Sequence, residues 1–191
     1  MISTRVGYAG GVTDKPEYYR LGDHSESVEI VYDPARITYD ELLDVFWSGH
    51  NASFRSGSTQ YKSIIFYHDE DQRRKAVESR DRIEASTGRE IFTEMIPVST
   101  FFQAEDYHQK YYMQQYGELV REMKAIYPDI DDYISSTAVA RINGYAGGYG
   151  TEELLQKEVG SLGLSPAGME KLKEIAGKGL VSACPVRSWP F

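Results

Sequence analysis

Apolar positions along this chain change period several times, and each change marks an element. Residues 2–8 (ISTRVGY) read as a short strand running into the turn GYAGG at 7–11, where glycines allow backbone angles that other residues resist. In ESVEIVYD (26–33), Val28, Ile30 and Tyr32 share one face while Glu29 and Val31 take the other, the period-two pattern of a strand. Pro34 ends it, because proline has no N–H for a ladder. TYDELLDVFWSGH (38–50) predicts a helix with a capping box, Thr38 at the cap and Glu41 three residues later. Leu42, Val45 and Phe46 form its predicted apolar stripe. YKSIIFYH (61–68) is a near-continuous apolar strand of the kind buried on both faces. A charged helix capped around Asp69 and stopped at Gly88 follows, then a strand in EIFTEMIPV (90–98). AEDYHQKYYMQQYGELVREMKA (104–125) begins as a helix.

Strands alternating with helices predict an α/β (α+β) sandwich, and the alternation stops near residue 100. From about 151 the pattern is that of a small helical extension. Thr151 and Ser165 are the candidate N-caps, Pro166 sits at a first helical position and Gly177 at a stop. The tail CPVRSWPF reads as irregular. GYAGG occurs again at 144–148. Two copies of five residues are too few and too short for a repeat architecture, so the second reads as coincidence or a similar turn.

Composition narrows the class. The chain has 191 residues, 41% hydrophobic and 26% charged, as expected of one soluble globular domain, or one domain with an appendage. The balance of 21 basic against 29 acidic residues, −8 overall, disfavours a nucleic-acid partner. No apolar run reaches the length of a membrane span and no signal peptide is visible, so no membrane partner and a cytoplasmic location are expected. A lone cysteine, Cys184, excludes a disulfide within the chain and a cysteine-built metal site. The four histidines (His24, His50, His68, His108) lack metal-ligand spacing, and no phosphate-binding loop or serine elbow appears. No metal and no cofactor are expected.

The residues do carry candidate chemistry. KPEYYRLGDHSESVEIVYDP (15–34) packs Tyr18, Asp23, His24 and Glu26 into the loop before a strand. It reads either as a solvated polar loop or as a site in which a desolvated carboxylate donates a proton beside tyrosine hydroxyls. RSGSTQYKSIIFY (55–67) is a small-residue loop feeding Tyr61 into a strand, either a connector or a place where a ligand approaches the backbone. Cys184, in a proline-containing tail, reads as incidental or as an accessible redox thiol.

Five blocks in order, VGYAGG, PEYYRLGDHSESVEIVYDP, ITYDELLDVFW, STQYKSIIFYHDEDQ and FFQAEDYHQKYY, resemble the peptide methionine sulfoxide reductase A family over roughly residues 2–115. The resemblance implies a mixed sheet flanked by helices, a ferredoxin-like arrangement, over residues 1–128, with 129–191 as a partly helical C-terminal extension. It implies reduction of methionine-S-sulfoxide, free or in proteins, to methionine, with thioredoxin as reductant. By position, Glu26, Tyr18 and Tyr61 bind and protonate the sulfoxide oxygen, with His24 beside them in the substrate site. The Glu26 loop is shorter than the family version, GDHSE standing where GDTGHAE is usual. The aspartate that usually precedes GTQY has no counterpart, Ser56 or a neighbour taking its place.

The family's nucleophile lies in a GCFWG segment about fifteen residues before the position of Met1, and this chain has no such segment. Three explanations follow. The chain is a truncated reductase, in the sharper form one whose nucleophile is selenocysteine, encoded by a codon that resembles a stop; a G-(Cys or stop)-F-W run in the upstream DNA tests this. Alternatively it is a non-catalytic relative that binds oxidised methionine or a protein partner. Lastly, Cys184 has become the nucleophile. Within the resemblance, Cys184 is better cast as a resolving residue.

Overall fold

A computed structural model describes residues 1–179 of the chain. In chain order these hold β1 (Ser3–Ala9), β2 (Ser25–Val31), α1 (Tyr39–Ser48), β3 (Ile64–Tyr67), α2 (Glu70–Thr87), β4 (Glu94–Pro97), β5 (Phe102–Gln103), α3 (Tyr111–Gln114), α4 (Gly117–Ile126), α5 (Ile130–Ser135), α6 (Thr137–Ala146), α7 (Glu152–Glu158) and α8 (Pro166–Gly177). The fold is α/β, with helices continuing through the C-terminal third. The strands fall into two sheets among the described residues, β2-β1-β5 and a parallel pair β3-β4. β5 runs antiparallel to β1, pairing Gly7 with Gln103 and Tyr8 with Phe102.

Local capping sets the helix starts. Thr38 accepts from the Glu41 N–H while the Glu41 side chain reaches back to the Thr38 N–H, closing the capping box of α1. Asp69, Thr151 and Ser165 cap α2, α7 and α8 by accepting from the N–H groups of Gln72, Leu154 and Gly168, without the reciprocal bond, and Pro166 opens α8. α2 stops where Gly88 enters the left-handed region at φ 64°.

The described residues form two compact units. One contains Val6–Val28 and Asp33–Ala104. Its cores are Leu43, Trp47, Ala52, Ile65, Ala76 and Ile91, and separately Tyr8, Leu21 and Ala104. The buried face of α1 is therefore Leu43 and Trp47, with Phe46 half-buried, whereas the expected stripe includes an exposed Val45. Trp47 decides this, because its indole N–H reaches the buried Ser79 of α2 at 2.9 Å. Val28 and Ile30 of β2 do alternate, but their face is exposed. β3 and β4 are shorter than their apolar runs because neighbouring backbone bonds elsewhere. Phe92 N–H donates to Ala52 O at 3.0 Å, and Ile91 N–H to Glu84 Oε1 at 2.9 Å.

The other unit gathers, among the described residues, Met1–Arg5, Glu29–Tyr32 and 105–179. Met113, Leu119, Met123, Ile134, Val139, Ile142, Leu155 and Leu172 make its helical core. The start of 104–125, expected to be helical, is not an α-helix. A single 3-10 turn (Asp106–His108) is followed by Lys110 in the left-handed conformation at φ 52°, then by α3 and α4. Lys110 is buried and its ammonium donates to the Thr4 carbonyl and hydroxyl, an attachment a continuous helix would not allow. The second GYAGG is the end of α6, and so is unlike the first, which is strand and turn.

Candidate active site

The loop between β1 and β2 is locked from within. Asp23 accepts from the N–H groups of Val12 (2.9 Å) and Thr13 (3.0 Å) and from the Thr13 hydroxyl (2.7 Å). Those bonds favour the carboxylate, led by the Thr13 hydroxyl, and hold Asp23 far below the usual carboxylate range. The expected proton-donating carboxylate is therefore not Asp23. Packing is as tight: a Cβ on Gly11 would stand 2.5 Å from Asp23 Oδ1, and one on Gly22, at φ 65°, 2.2 Å from Thr13 Oγ1.

His24 completes the lock. It is fully buried, 0% exposed. Gly11 N–H donates to Nδ1 at 3.2 Å, and Nε2 lies 2.8 Å from Thr13 O. A carbonyl only accepts, so the ring hydrogen belongs on Nε2. The ring meets Phe102 edge to face at 5.4 Å. Both nitrogens thus face backbone, and in this arrangement His24 has none to offer a substrate.

Tyr18 and Tyr19 are the two central residues of a tight turn flanked by Glu17 and Arg20, with Arg20 N–H donating to Glu17 O at 2.8 Å. The turn places Tyr18 in hydrogen-bond contact with Tyr61. Tyr61 first, by its charge and by that bond, and then the Glu26 carboxylate push the Tyr18 phenol above its usual range. Tyr18 thus stays a hydroxyl donor. Tyr61 itself is half open to solvent, 53% exposed.

Two further bonds bring Glu26 to this pair. Ser25 Oγ donates to Thr59 O at 2.6 Å, and Glu26 N–H donates to Gln60 O at 3.0 Å. Gln60 Nε2 then donates to Glu26 Oε1 at 2.6 Å. The start of β2 is in this way stitched to the segment that ends in Tyr61. Ser56 turns inward on its own loop, accepting from Ser58 N–H and donating to Ser58 O. Gln60 and Thr13 were silent in the sequence, since neither sits in a pattern marking it as a partner of residues 34 or 10 positions away. Among the described residues no three or more His, Cys, Asp or Glu side chains gather as a metal would need. Cys184 lies outside the described residues.

Two phenols and one carboxyl group are thus brought near one another. The two phenols can donate hydrogen bonds to one oxygen atom, and the carboxyl group can pass a proton to it.

The chain belongs to the peptide methionine sulfoxide reductase family, a class of oxidoreductases: the family model matches residues 1–138. Residues 131–177 match a second model, described as the helical domain of selenoprotein methionine sulfoxide reductase A. Among similar proteins, a peptide methionine sulfoxide reductase of Drosophila melanogaster is 38% identical over 168 residues, covering 87% of this chain and 67% of its own. One from Methanothermobacter thermautotrophicus is 47% identical over 123 residues, covering 58% of this chain and 72% of its own. The A5 protein of Arabidopsis thaliana is 39% identical over 153 residues, and this chain spans 59% of its length. The crystal structure of reduced Mxr1 from Saccharomyces cerevisiae matches with a TM-score of 0.55 at 29% identity, over 60% of this chain and 71% of that one.

Proposed function

We propose that this chain recognises methionine-S-sulfoxide, free or within a protein, and serves its reduction to methionine. The observation that carries the reading is the convergence of Tyr18, Tyr61 and Glu26, with the two phenols hydrogen-bonded and the carboxylate near enough to shift Tyr18. A sulfoxide oxygen is a strong acceptor. Tyr18 and Tyr61 donate to it, and the Glu26 carboxyl group passes the proton to it. His24 and Asp23 act as positioning residues that hold the loop carrying Tyr18.

Reduction then needs a sulfur or selenium nucleophile. Its anion attacks the sulfoxide sulfur, the S–O bond breaks, and the oxygen passes with the proton to the attacking atom as a sulfenic or selenenic acid. A resolving thiol condenses with that acid, releasing water, and thioredoxin's dithiol reduces the resulting bond. Residues 1–179 contain no cysteine, so the attacking group lies outside them. The match of 131–177 to a helical domain named for selenoproteins supports selenium in that role. Cys184 is assigned the resolving role. The same match, starting at residue 131 where the family model is ending at 138, supports a C-terminal module that begins near residue 129. No helix among the described residues is long and apolar enough to cross a membrane, and the cytoplasm, where thiols are kept reduced, is the compartment we propose.

Calorimetric titration with N-acetyl-methionine-S-sulfoxide tests the oxygen site. Glu26→Gln and the double variant Tyr18→Phe/Tyr61→Phe should each weaken binding about tenfold or more, the magnitude of losing hydrogen bonds to a polar oxygen. Unchanged affinity in both overturns the assignment. A second reading, a sulfoxide-binding protein without turnover, is favoured by the lack of a thiol in residues 1–179. Reduction of the sulfoxide by the 191-residue chain with dithiothreitol would exclude it, and loss of that reduction in Cys184→Ser would make Cys184 the attacking residue.

A further inference from the structure

The centre of the Glu17–Arg20 turn carries two tyrosines, both outside the left-handed region, so its backbone does not dictate which residues stand there. Tyr18 is used by the oxygen site. Tyr19 leaves 93% of its surface in solvent, although its ring stands edge-on to Tyr18 at a centroid distance of 5.1 Å. So exposed a side chain contributes little to folding. The turn is closed without it, by Arg20 N–H on Glu17 O and the Glu17–Arg20 ion pair at 3.7 Å. The loop that follows is fixed by Asp23 and His24. An aromatic ring held in water on a rigid turn is contact surface prepared in advance, with only two side-chain torsions left to order.

We infer that Tyr19 is a specificity-determining residue: it favours methionine sulfoxide within an extended peptide segment whose neighbouring side chain is aromatic or large and aliphatic, over free methionine sulfoxide. The inference rests on the oxygen-site reading above. The Tyr19 ring stands 5.1 Å from the Tyr18 ring, within the reach of one side chain of a peptide bound at Tyr18. A peptide whose sulfoxide oxygen sits at the Tyr18 hydroxyl brings a flanking side chain within reach of the exposed Tyr19 ring. An apolar or aromatic neighbour covers the ring and gains contact there, whereas glycine gains none. The free amino acid has no neighbour to place.

Two N-acetylated, amidated probes separate the effects, Gly-Gly-Met(O)-Gly-Gly and Gly-Phe-Met(O)-Phe-Gly, each with the S-sulfoxide. Calorimetric titration into the 191-residue chain should show the phenylalanine peptide binding about 2- to 10-fold tighter, the range of an aromatic pair contact. Tyr19→Ser should bring that ratio to one, with its thermal midpoint unchanged, and Tyr19→Phe should restore it. The ratio is measured within each variant, so a change in the amount of folded protein cancels. A wild-type ratio of one, or a ratio that survives Tyr19→Ser, overturns the inference and leaves the oxygen site standing as long as Glu26→Gln weakens both probes. Glu26→Gln without effect on either probe, or no binding at all, overturns the oxygen site and this inference with it.

Discussion

His24→Phe is the most informative perturbation of the site. The substitution keeps a flat ring against Phe102 but removes both nitrogens, so Gly11 N–H and Thr13 C=O lose their partners. Because His24 is fully buried, water does not replace it without rearrangement of the loop. Each unpaired group costs about 1–3 kcal/mol. Both bonds lie only partly buried, which places their sum near the lower end, about 2–4 kcal/mol. For a chain of this length that lowers the thermal midpoint by roughly 5–15 °C. The assay is urea and thermal unfolding followed by Trp47 fluorescence, in a Trp189→Phe background so that one indole reports. His24→Gln, whose amide offers one donor and one acceptor, should recover part of the loss. The positioning role makes a second demand: N-acetyl-methionine-S-sulfoxide should bind more weakly to His24→Phe below its midpoint, since Tyr18 belongs to the same loop. A loss under about 0.5 kcal/mol, within the range of an ordinary surface substitution, would refute the lock; a full stability loss with unchanged binding would refute the positioning role.

Other outcomes follow from the packing. Ser79→Ala leaves the Trp47 indole N–H without its partner at 2.9 Å and should cost about 1–3 kcal/mol in urea unfolding; no loss would mean the indole finds another acceptor. Gly147→Ala would bring a methyl to 2.7 Å from the Tyr112 ring, whereas nothing lies within 4 Å of the Cβ position at Gly57. The first should therefore lower the thermal midpoint and Gly57→Ala should not, and equal effects would contradict the packing. Lys110 is pushed by burial from 10.5 to about 8. With the folded value lower, the unfolded chain binds more protons between those two values, so stability rises with pH across that window. Relative to Lys110→Met, the native chain should gain stability from pH 8 to 10.5, read by urea unfolding at each pH, and a flat difference would contradict a buried ammonium.

Much of this protein was legible from short stretches of sequence. Thr38 with Glu41, Asp69, Thr151, Ser165 with Pro166, and Gly88 mark helix ends because capping is a bond between residues at most four apart. The order of strands and helices up to residue 100 could be read in the same way, whereas the grouping of Tyr18, Glu26 and Tyr61 was implied only by the resemblance to a family, because no local pattern joins residues 35 or more positions apart. Tertiary structure decided the rest. The buried face of α1 turned on Trp47 finding Ser79, 32 residues away. The 90–98 strand lost its first half to Ala52 and Glu84, and the expected helical start of 104–125 gave way to a 3-10 turn ahead of Lys110, which reaches Thr4, 106 residues away. His24 is the sharpest case: it stands close to Glu26 in sequence, among residues we assign to the oxygen site, yet its ring turns inward to hold Gly11 and Thr13. Sequence spacing gives a side chain's neighbours along the chain, whereas its hydrogen-bond partners depend on which backbone groups the folded loop would otherwise leave unpaired.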